Sequence, residues 1–320
     1  MKKIGVLTSG GDAPGMNAAI RAVVRTGISK GMEVIGIEKG YEGLLNGLFR
    51  QMDAHSVSGI IDDGGTILRT ARSMEFKTPE GQKKAAKRIE EAGMDGLVVI
   101  GGDGSYRGAL AIHETCGVKV IGIPGTIDND INGTEYTIGF DTAVNTALES
   151  IDKIRDTAAS HDRIFVVEVM GRLNGSIALE VAIAGGAEAV LIPEVKHDMI
   201  KLCRNIEAWR KRGKMSCIII VAEGAAKGSD IAATITQVTG IETRLSVLGH
   251  VQRGGSPSAK DRSLATHFGY YAVDLLAQGK TNLMVGLLEG CIHASPLEDV
   301  TAGGRPVDPS VLSVVDVMAT

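Results

Sequence analysis

The chain is poor in aromatic residues and in cysteine, and it has no long apolar stretch and no excess of positive charge. Of its 320 residues, 44% are hydrophobic but only 3% are Phe, Trp or Tyr. The apolar content is therefore mainly Val, Ile, Leu and Ala, which is typical of parallel sheets that are buried on both faces. The length predicts two packed α/β units rather than one small domain.

Each of these shortages argues against a class of protein. The cysteines at 116, 203, 217 and 291 lie far apart and form no C-x-x-C pair, which favours reduced thiols over a zinc site or a disulfide framework. A net charge of −4 gives no support for binding to nucleic acid or to a membrane surface. No apolar run approaches the ~20 residues of a membrane span, and the N-terminus reaches Gly and Asp too soon for a signal peptide. We therefore predict a soluble cytoplasmic protein.

Short β-branched runs alternate with longer amphipathic stretches along the chain. This alternation predicts parallel sheets with crossover helices. The clearest predicted strands are Ile4–Leu7, Val34–Ile37, Leu97–Ile100, Val120–Ile123, Ile164–Val169 and Ile218–Val221. The clearest predicted helices are Asn17–Ser29, Gln82–Ala92, Thr142–Thr157 and Leu264–Leu276.

Five of the apolar runs end directly in glycine and charged or hydroxyl residues. In open α/β sheets, ligands bind beyond the carboxyl ends of the strands, so five such endings indicate one shared cleft or two facing ones. Ordinary turns between helix and strand are the alternative explanation. The five segments begin at Thr8, Gly101, Pro124, Met170 and Glu223.

The segment Gly101-Gly-Asp-Gly-Ser-Tyr106 follows a predicted strand and opens a predicted helix. Backbone N–H groups at a helix N-terminus suit a phosphate, and glycine lets the backbone approach it closely. Because an acid beside phosphates needs a cation between them, we expect Asp103 to contact Mg²⁺, although a helix-capping role would also suit this residue. The chain has neither a Walker A loop nor a G-x-G-x-x-G turn, which argues against P-loop and dinucleotide-binding proteins. The turn alone would also suit a lipid kinase or an NAD kinase.

Five ordered segments together resemble the bacterial ATP-dependent 6-phosphofructokinases. The resemblance runs from Met1 to about Leu287, while the final stretch matches only loosely. It is carried by Leu7-Thr-Ser-Gly-Gly-Asp-Ala-Pro-Gly-Met-Asn17, Val99-Ile-Gly-Gly-Asp-Gly-Ser105, Pro124-Gly-Thr-Ile-Asp-Asn-Asp130, Val169-Met-Gly-Arg172 and Leu248-Gly-His-Val-Gln-Arg-Gly-Gly255.

This resemblance implies transfer of the γ-phosphoryl group of ATP to the 1-hydroxyl of fructose 6-phosphate. It also implies two Rossmann-like three-layer α/β domains with mostly parallel sheets and an active site in the cleft between them. The larger, ATP-binding domain would hold residues 1–139 and 252–305. The smaller, fructose 6-phosphate-binding domain would hold 140–251 and 306–320. A homotetramer with substrate sites shared between subunits is a further expectation.

The resemblance assigns catalytic roles to residues at the strand ends. Asp128 is the expected base, and Thr126 would donate a hydrogen bond to the transferred phosphoryl group. Arg72 and Arg172 would supply positive charge to that group, as phosphoryl transfer requires, and Gly11 would add a backbone contact. Turn-forming aspartates are the alternative explanation for the acidic pair Asp128 and Asp130.

The two substrates have their own expected binding residues. For the nucleotide these are Gly11, Tyr41, Arg72, Ser73, Lys77, Gly102, Asp103, Gly104, Ser105 and Gly108. For the sugar phosphate they are Thr126, Asp128, Asp130, Arg163, Met170, Gly171, Arg172, Glu223, Arg244, His250 and Arg253. By the same resemblance, Arg163 and Arg244 would act on the substrate of an adjacent subunit.

The phosphoryl donor is expected to be ATP rather than pyrophosphate. Pyrophosphate-dependent relatives usually place Asp and Lys at the positions that Gly104 and Gly125 hold here. An Asp at 104 would put bulk and negative charge where the α-phosphate must lie. A pyrophosphate-dependent enzyme and a non-catalytic nucleotide-binding relative are the alternatives, but the candidate catalytic residues are all present in the chain.

The resemblance also implies a regulatory site, but several of its positions depart from the family pattern. The expected effector residues, which would bind ADP or phosphoenolpyruvate, are Arg21, Arg25, Arg155, Glu188, Arg212 and Lys214. Positions where the family often has charged residues or histidine carry Ala54, Gly59, Met215 and Ser216. We therefore expect weakened or altered allosteric control.

Overall fold

The structure, a computed structural model, describes residues 1–319 and divides the chain into two compact units. Unit 1 consists of Met1–Thr142 and Arg253–Arg305, and unit 2 consists of Ala143–Gln252 and Pro306–Thr320. The predicted domain boundaries, 139/140 and 251/252, lie within three residues of the observed boundaries after Thr142 and Gln252.

Unit 1 is built on a seven-stranded sheet with the strand order β11-β10-β5-β4-β1-β2-β3. The inner pairings are parallel, and the two outer ones, β10 with β11 and β2 with β3, are antiparallel. Its strands are β1 (Lys3–Thr8), β2 (Glu33–Ile37), β3 (Phe49–Met52), β4 (Gly96–Gly101), β5 (Lys119–Pro124), β10 (Leu283–Leu288) and β11 (Cys291–Pro296).

Helices pack against this sheet because its central strands are apolar along their whole length. All six residues of β4 are buried, as expected for a strand covered on both faces. Leu97 and Val99 belong to one apolar cluster with residues of α2, α3 and α4, while α1 and α9 pack together elsewhere in the unit. The helices are α1 (Met16–Ser29), α2 (Gly40–Asn46), α3 (Pro79–Ala92), α4 (Asp103–Cys116), α9 (Ala259–Ala277) and α10 (Leu297–Thr301).

Unit 2 is built on a smaller sheet whose four strands are all parallel, in the order β7-β8-β6-β9. Its strands are β6 (Ile164–Val169), β7 (Ala189–Leu191), β8 (Cys217–Ala222) and β9 (Thr243–Val247). The core contains Trp209 of α7 and Ile219 of β8, together with Ala319 near the C-terminus. The helices are α6 (Ser176–Ala184), α7 (Met199–Lys211), α8 (Gly228–Thr239) and α11 (Leu312–Met318).

Helix α5 (Phe140–His161) begins in unit 1 and continues in unit 2, since the boundary falls after Thr142. Its first turn is capped by Asp261 of α9, which is 1% exposed. The Asp261 carboxylate accepts hydrogen bonds from Gly139 N at 2.9 Å, Thr142 N at 2.8 Å and Thr142 Oγ1 at 2.5 Å. Burial raises the pKa of Asp261, and these hydrogen bonds oppose that shift. The cap satisfies helix N–H groups that would otherwise lack acceptors.

The structure confirms the α/β class and contains every predicted strand and helix. The predicted strand Ile164–Val169 has the same bounds as β6, and each of the others lies inside a longer element. Between residues 1 and 319, no helix is long and apolar enough to cross a membrane.

Candidate active site

In unit 1, three of the predicted polar turns meet at one edge of the large sheet. They follow β1, β4 and β5, which are parallel neighbours, so their carboxyl ends lie side by side. Backbone hydrogen bonds join the turns, from Ser9 N to Ile100 O at 2.9 Å and from Gly125 N to Gly101 O at 3.0 Å. The structure therefore brings together the segments that carry Gly11, Asp103 and Asp128.

The turn after β4 leads directly into the N-terminus of α4. Gly102 is the last residue before the helix, and its carbonyl accepts from Ser105 N at 2.9 Å and Tyr106 N at 3.2 Å. A side chain at Gly104 would meet nothing within 4 Å among the described residues. The helix N-terminus offers backbone N–H groups and a favourable dipole to an anion. The predicted phosphate turn therefore has the local structure that its role needs.

Asp103 lies in the first turn of α4, and its two carboxylate oxygens differ. Oδ2 forms an ion pair with Arg107, one turn further along the helix. Oδ1 is buried and has no hydrogen-bond partner within residues 1–319. A buried carboxylate oxygen is costly unless a cation or a donor meets it. No group of three or more His, Cys, Asp or Glu side chains in that range could hold a metal ion by itself. A divalent cation at Asp103 would thus share its coordination with ligand oxygens, which suits Mg²⁺.

Tyr41 supports the phosphate turn from beneath. Its ring stacks on Phe76 with 4.1 Å between the ring centroids, and its hydroxyl donates to Ser105 O at 2.5 Å. Burial raises the pKa of Tyr41 well above its ordinary value. Gly108 is required opposite the ring, since a Cβ there would lie 2.7 Å from it. Tyr41 is thus a structural support of α4, and its predicted contact with the nucleotide stays a prediction.

The loop that carries Arg72 is held to the start of α1 by Asn17, a residue that the sequence reasoning gave no role. Asn17 is 1% exposed and donates to Asp63 O at 3.1 Å and to Gly64 O at 3.2 Å. Its Oδ1 accepts from Ile67 N at 2.8 Å. The sequence signal for this role was an asparagine within an otherwise apolar helix segment, because a buried amide needs hydrogen-bond partners. Arg72 itself is exposed, as is Lys77, and Ser73 Oγ accepts a hydrogen bond from Phe76 N.

Asp128 lies in the turn that follows β5 and is completely buried. Its backbone N–H donates to Thr126 Oγ1 at 3.2 Å, so the predicted base and the predicted phosphoryl contact belong to one local turn. The carbonyl of Asp130 accepts from Arg305 N at 2.9 Å.

Arg253 belongs to unit 1, where it lies against the first turn. Its Nη1 donates to Asp12 O at 3.2 Å, and a Cβ at Gly11 would stand 2.5 Å from that nitrogen. A side chain at position 11 would therefore need the end of the flexible Arg253 side chain to move. The other residues of the predicted 6-phosphate cradle belong to unit 2.

In unit 2, the turns after β6 and β8 form a second polar cluster. Glu223 N donates to Val169 O at 2.9 Å, and Glu223 Oε1 accepts from Gly171 N at 3.2 Å and Arg172 N at 2.9 Å. Arg172 has a φ of 52°, a left-handed conformation that is uncommon outside glycine. The predicted sugar-binding residues Met170, Gly171, Arg172 and Glu223 thus share one edge of the small sheet.

Gln252 joins this cluster, although the sequence reasoning gave it no role of its own. It is completely buried, and its Oε1 accepts from Met170 N at 2.9 Å. Its Nε2 has no hydrogen-bond partner in the described part of the chain. His250, two residues earlier, is exposed. The position of Gln252 between His250 and Arg253 was the signal available in the sequence.

Arg163 and Arg244 lie at the opposite end of the same sheet. Arg163 directly precedes β6, and both arginines pair with Glu242. Six residues of β6 separate Arg163 from Met170, a span of about 20 Å at ~3.3 Å per residue. Within one chain, the structure does not bring these two arginines to the cluster of Met170 and Glu223.

The predicted effector residues are divided between the two units. Arg21 and Arg25 lie on α1, whereas the other four belong to unit 2. Glu188 is 4% exposed and accepts from Ile218 N at 2.6 Å and pairs with Lys214 at 3.1 Å. Arg155 donates to Gly185 O at 2.5 Å and Gly186 O at 2.9 Å, and Arg212 is exposed.

The fold and these clusters define an α/β protein with two units, each carrying polar turns at the carboxyl ends of parallel strands, and in unit 1 one such turn leads into the N-terminus of α4. The sequence matches the family described as Phosphofructokinase over residues 3–276, and the chain belongs to that family.

Relatives and solved structures agree with this assignment. The chain is 62% identical to an ATP-dependent 6-phosphofructokinase of Clostridium tetani over 90% of both chains, and 52% identical to one of Clostridium botulinum over the full length of both. The phosphofructokinase of Saccharomyces cerevisiae is 39% identical with a TM-score of 0.90, and the chain covers 48% of that longer chain. A pyrophosphate-dependent phosphofructokinase of Marinobacter aquaeolei has a TM-score of 0.84 over 96% of this chain and 86% of its own, but at 22% identity it shows the fold alone.

Proposed function

We infer that the chain is an ATP-dependent 6-phosphofructokinase, which transfers the γ-phosphoryl group of ATP to the 1-hydroxyl of fructose 6-phosphate. The structural observation that carries this inference is in unit 1. A completely buried carboxylate, Asp128, follows the strand next to the one that leads into the open N-terminus of α4. A base beside a phosphate site is the arrangement that phosphoryl transfer to an alcohol requires.

In the proposed reaction, Asp128 accepts the proton of the attacking 1-hydroxyl. Thr126 donates a hydrogen bond to the transferred group, and Arg72 and Arg172 stabilise its charge. The backbone N–H groups at the start of α4 bind the nucleotide phosphates. When bound, Mg²⁺ would be held by Asp103 together with phosphate oxygens and would neutralise their charge.

The proposed residues for the sugar phosphate divide into those for the ring and those for the 6-phosphate. Met170 and Glu223 would hold the ring, and His250 and Arg253 would bind the 6-phosphate. The separation of Arg163 and Arg244 from Met170 supports the proposal that these arginines serve a neighbouring subunit in a homotetramer. A single chain would then lack two cations of its own phosphate cradle.

ATP is the proposed donor, and the surroundings of Gly104 and Gly125 support this choice. Position 104 offers open space for a phosphate. Position 125 is packed, because a Cβ there would lie 3.0 Å from Met16 Cε and 3.1 Å from Ile100 Cγ2. A lysine at 125 would therefore need its neighbours to move.

The test is the rate of fructose 1,6-bisphosphate formation from ATP, Mg²⁺ and fructose 6-phosphate by the wild type and by Asp128→Ala. We expect kcat to fall by about 10²–10⁴ with little change in KM, because a positioned base contributes that factor to the chemical step. Asp62→Ala, at an exposed aspartate of the same unit, should keep the wild-type rate. A near-normal rate for Asp128→Ala would remove Asp128 as the base.

A further inference from the structure

Asn129, the residue after the proposed base, has a conformation that few side chains tolerate. Its φ is 52°, in the left-handed region, where asparagine is one of the few residues other than glycine found regularly. Asn129 therefore adopts this left-handed backbone conformation immediately after Asp128. The direction in which the Asp128 side chain points therefore depends on Asn129.

The side chain of Asn129 is buried, at 3% exposure, and both of its polar atoms are engaged. Its Oδ1 accepts from Thr137 N at 2.9 Å, and its Nδ2 donates to Glu135 O at 3.1 Å. Both partners belong to the segment that returns towards β5. The side-chain amide of Asn129 thus connects the turn to residues 135–137 by hydrogen bonds.

Thr137 makes the reciprocal contact. Its hydroxyl donates to Thr126 O at 2.6 Å and also lies 3.3 Å from Asn129 Oδ1. Backbone bonds from Thr126 N to Ile138 O at 3.1 Å and from Ile138 N to Pro124 O at 2.9 Å close the loop. Five hydrogen bonds therefore attach residues 126–129 to residues 135–138, and three of them involve the Asn129 amide.

We propose that Asn129 is a positioning residue, which holds the carboxylate of Asp128 in line with the attacking hydroxyl through its bonds to Glu135 and Thr137. The proposal rests on the proposed function, since it gives Asn129 a task only if Asp128 is the base. Asn129 touches neither substrate in this scheme. Small displacements of a reacting group lower the chemical step more than they lower binding.

Asn129→Gly separates the contribution of the backbone conformation from that of the side-chain hydrogen bonds. Glycine keeps the left-handed conformation and removes only the amide. We expect kcat to fall about 10- to 100-fold, while KM for ATP and for fructose 6-phosphate stays close to the wild type. The thermal midpoint should fall by a few degrees, because two backbone groups lose their partner. Asn132→Ala is the matched control, because Asn132 is an exposed asparagine in the same loop. It should leave all of these quantities unchanged.

A normal kcat for Asn129→Gly, alongside a severe loss for Asp128→Ala, would overturn the positioning role and leave the proposed function intact. If instead the wild type forms no fructose 1,6-bisphosphate, the proposed function itself fails. If Asn129→Gly does not fold, Thr137→Val provides the second test, since it keeps the shape of the side chain and removes only the hydroxyl. A fall in kcat of Thr137→Val that is smaller than that of Asn129→Gly, at unchanged KM, supports the proposal. Thr137→Ser keeps the hydroxyl and should therefore have a kcat close to the wild type. A kcat of Thr137→Val equal to the wild type would contradict it.

Discussion

Gly104 is a residue at which one added side chain should discriminate between phosphoryl donors. Its Cβ position is open within the described chain, and an acidic residue in the first turn of α4 interacts favourably with the helix dipole. Gly104→Asp should therefore fold normally and bind ATP poorly. We expect KM for ATP to rise by about tenfold or more, because juxtaposed like charges are strongly unfavourable.

The matched control for this substitution is Gly303→Asp, at a second glycine of unit 1 whose Cβ position meets nothing among residues 1–319. ATP saturation curves and thermal melts of both variants measure the effect. An unchanged KM in Gly104→Asp would show that the nucleotide phosphates do not lie at the start of α4.

At the scale of single residues, the sequence predicted the polar turns better than it predicted their supports. Asp103 and Asp128 stand out because they directly follow apolar strands. The roles of the supporting residues could not be predicted in full, because their partners are backbone groups that only the folded chain brings near. These residues are Asn17, Asn129 and Gln252. The separation of Arg163 from Met170 was predictable, since the predicted strand Ile164–Val169 lies between them. The position of Arg244 beside the start of that strand was not, because β9 was missing from the prediction.

Among the elements, α5 depends on a cap supplied by a different helix. Asp261 of α9 accepts from Gly139 N and Thr142 N in a buried site. Asp261→Ala should lower the free energy of unfolding by about 2–4 kcal/mol, because two buried N–H groups lose their acceptor. Asp274→Ala, on the same helix, is the control. Asp274 pairs with Lys30 at the surface, so its loss should cost less than about 1 kcal/mol.

Chemical denaturation of both variants measures the difference. Equal losses for Asp261→Ala and Asp274→Ala would show that the first turn of α5 does not need this cap. The carboxylate at 261 was not predictable as a cap, because 119 residues separate it from Thr142.

Long central strands and amphipathic helices were predictable because their apolar patterns are strong. Some of the elements missing from the prediction have weaker patterns. β7 has three residues, β9 is partly exposed along its length, and α2 is short and follows Lys39 in a left-handed conformation. Local sequence determines little in such elements, and tertiary contacts decide their structure.

For the whole molecule, regulation is the property on which this chain is expected to differ from its family. Ala54 and Gly59 are exposed and uncharged, and in unit 2 the buried Glu188 already engages Lys214. Fewer cations than the family pattern therefore remain for a phosphate effector. We expect ADP and phosphoenolpyruvate to shift the half-saturation of fructose 6-phosphate by less than about twofold, a difference below ~0.5 kcal/mol.

Saturation curves with and without each effector test this expectation. Ala54→Arg should enlarge the shift, because it restores a cation that the family often has at this position. A large shift in the wild type would show that other residues replace the missing charges.

Neither unit is a continuous stretch of chain, and this determines the order in which a newly made molecule can fold. The first stretch of unit 2, Ala143–Gln252, is synthesised before α9 and β10, so the edge of β5 has no strand beside it while these more than 100 residues emerge. Uncovered strand edges can pair with other chains. The core of unit 2 in turn waits for Ala319, the last residue described. Neither core can therefore be completed before β10 has been synthesised, and slow translation or truncation before Leu283 would leave both units open at once.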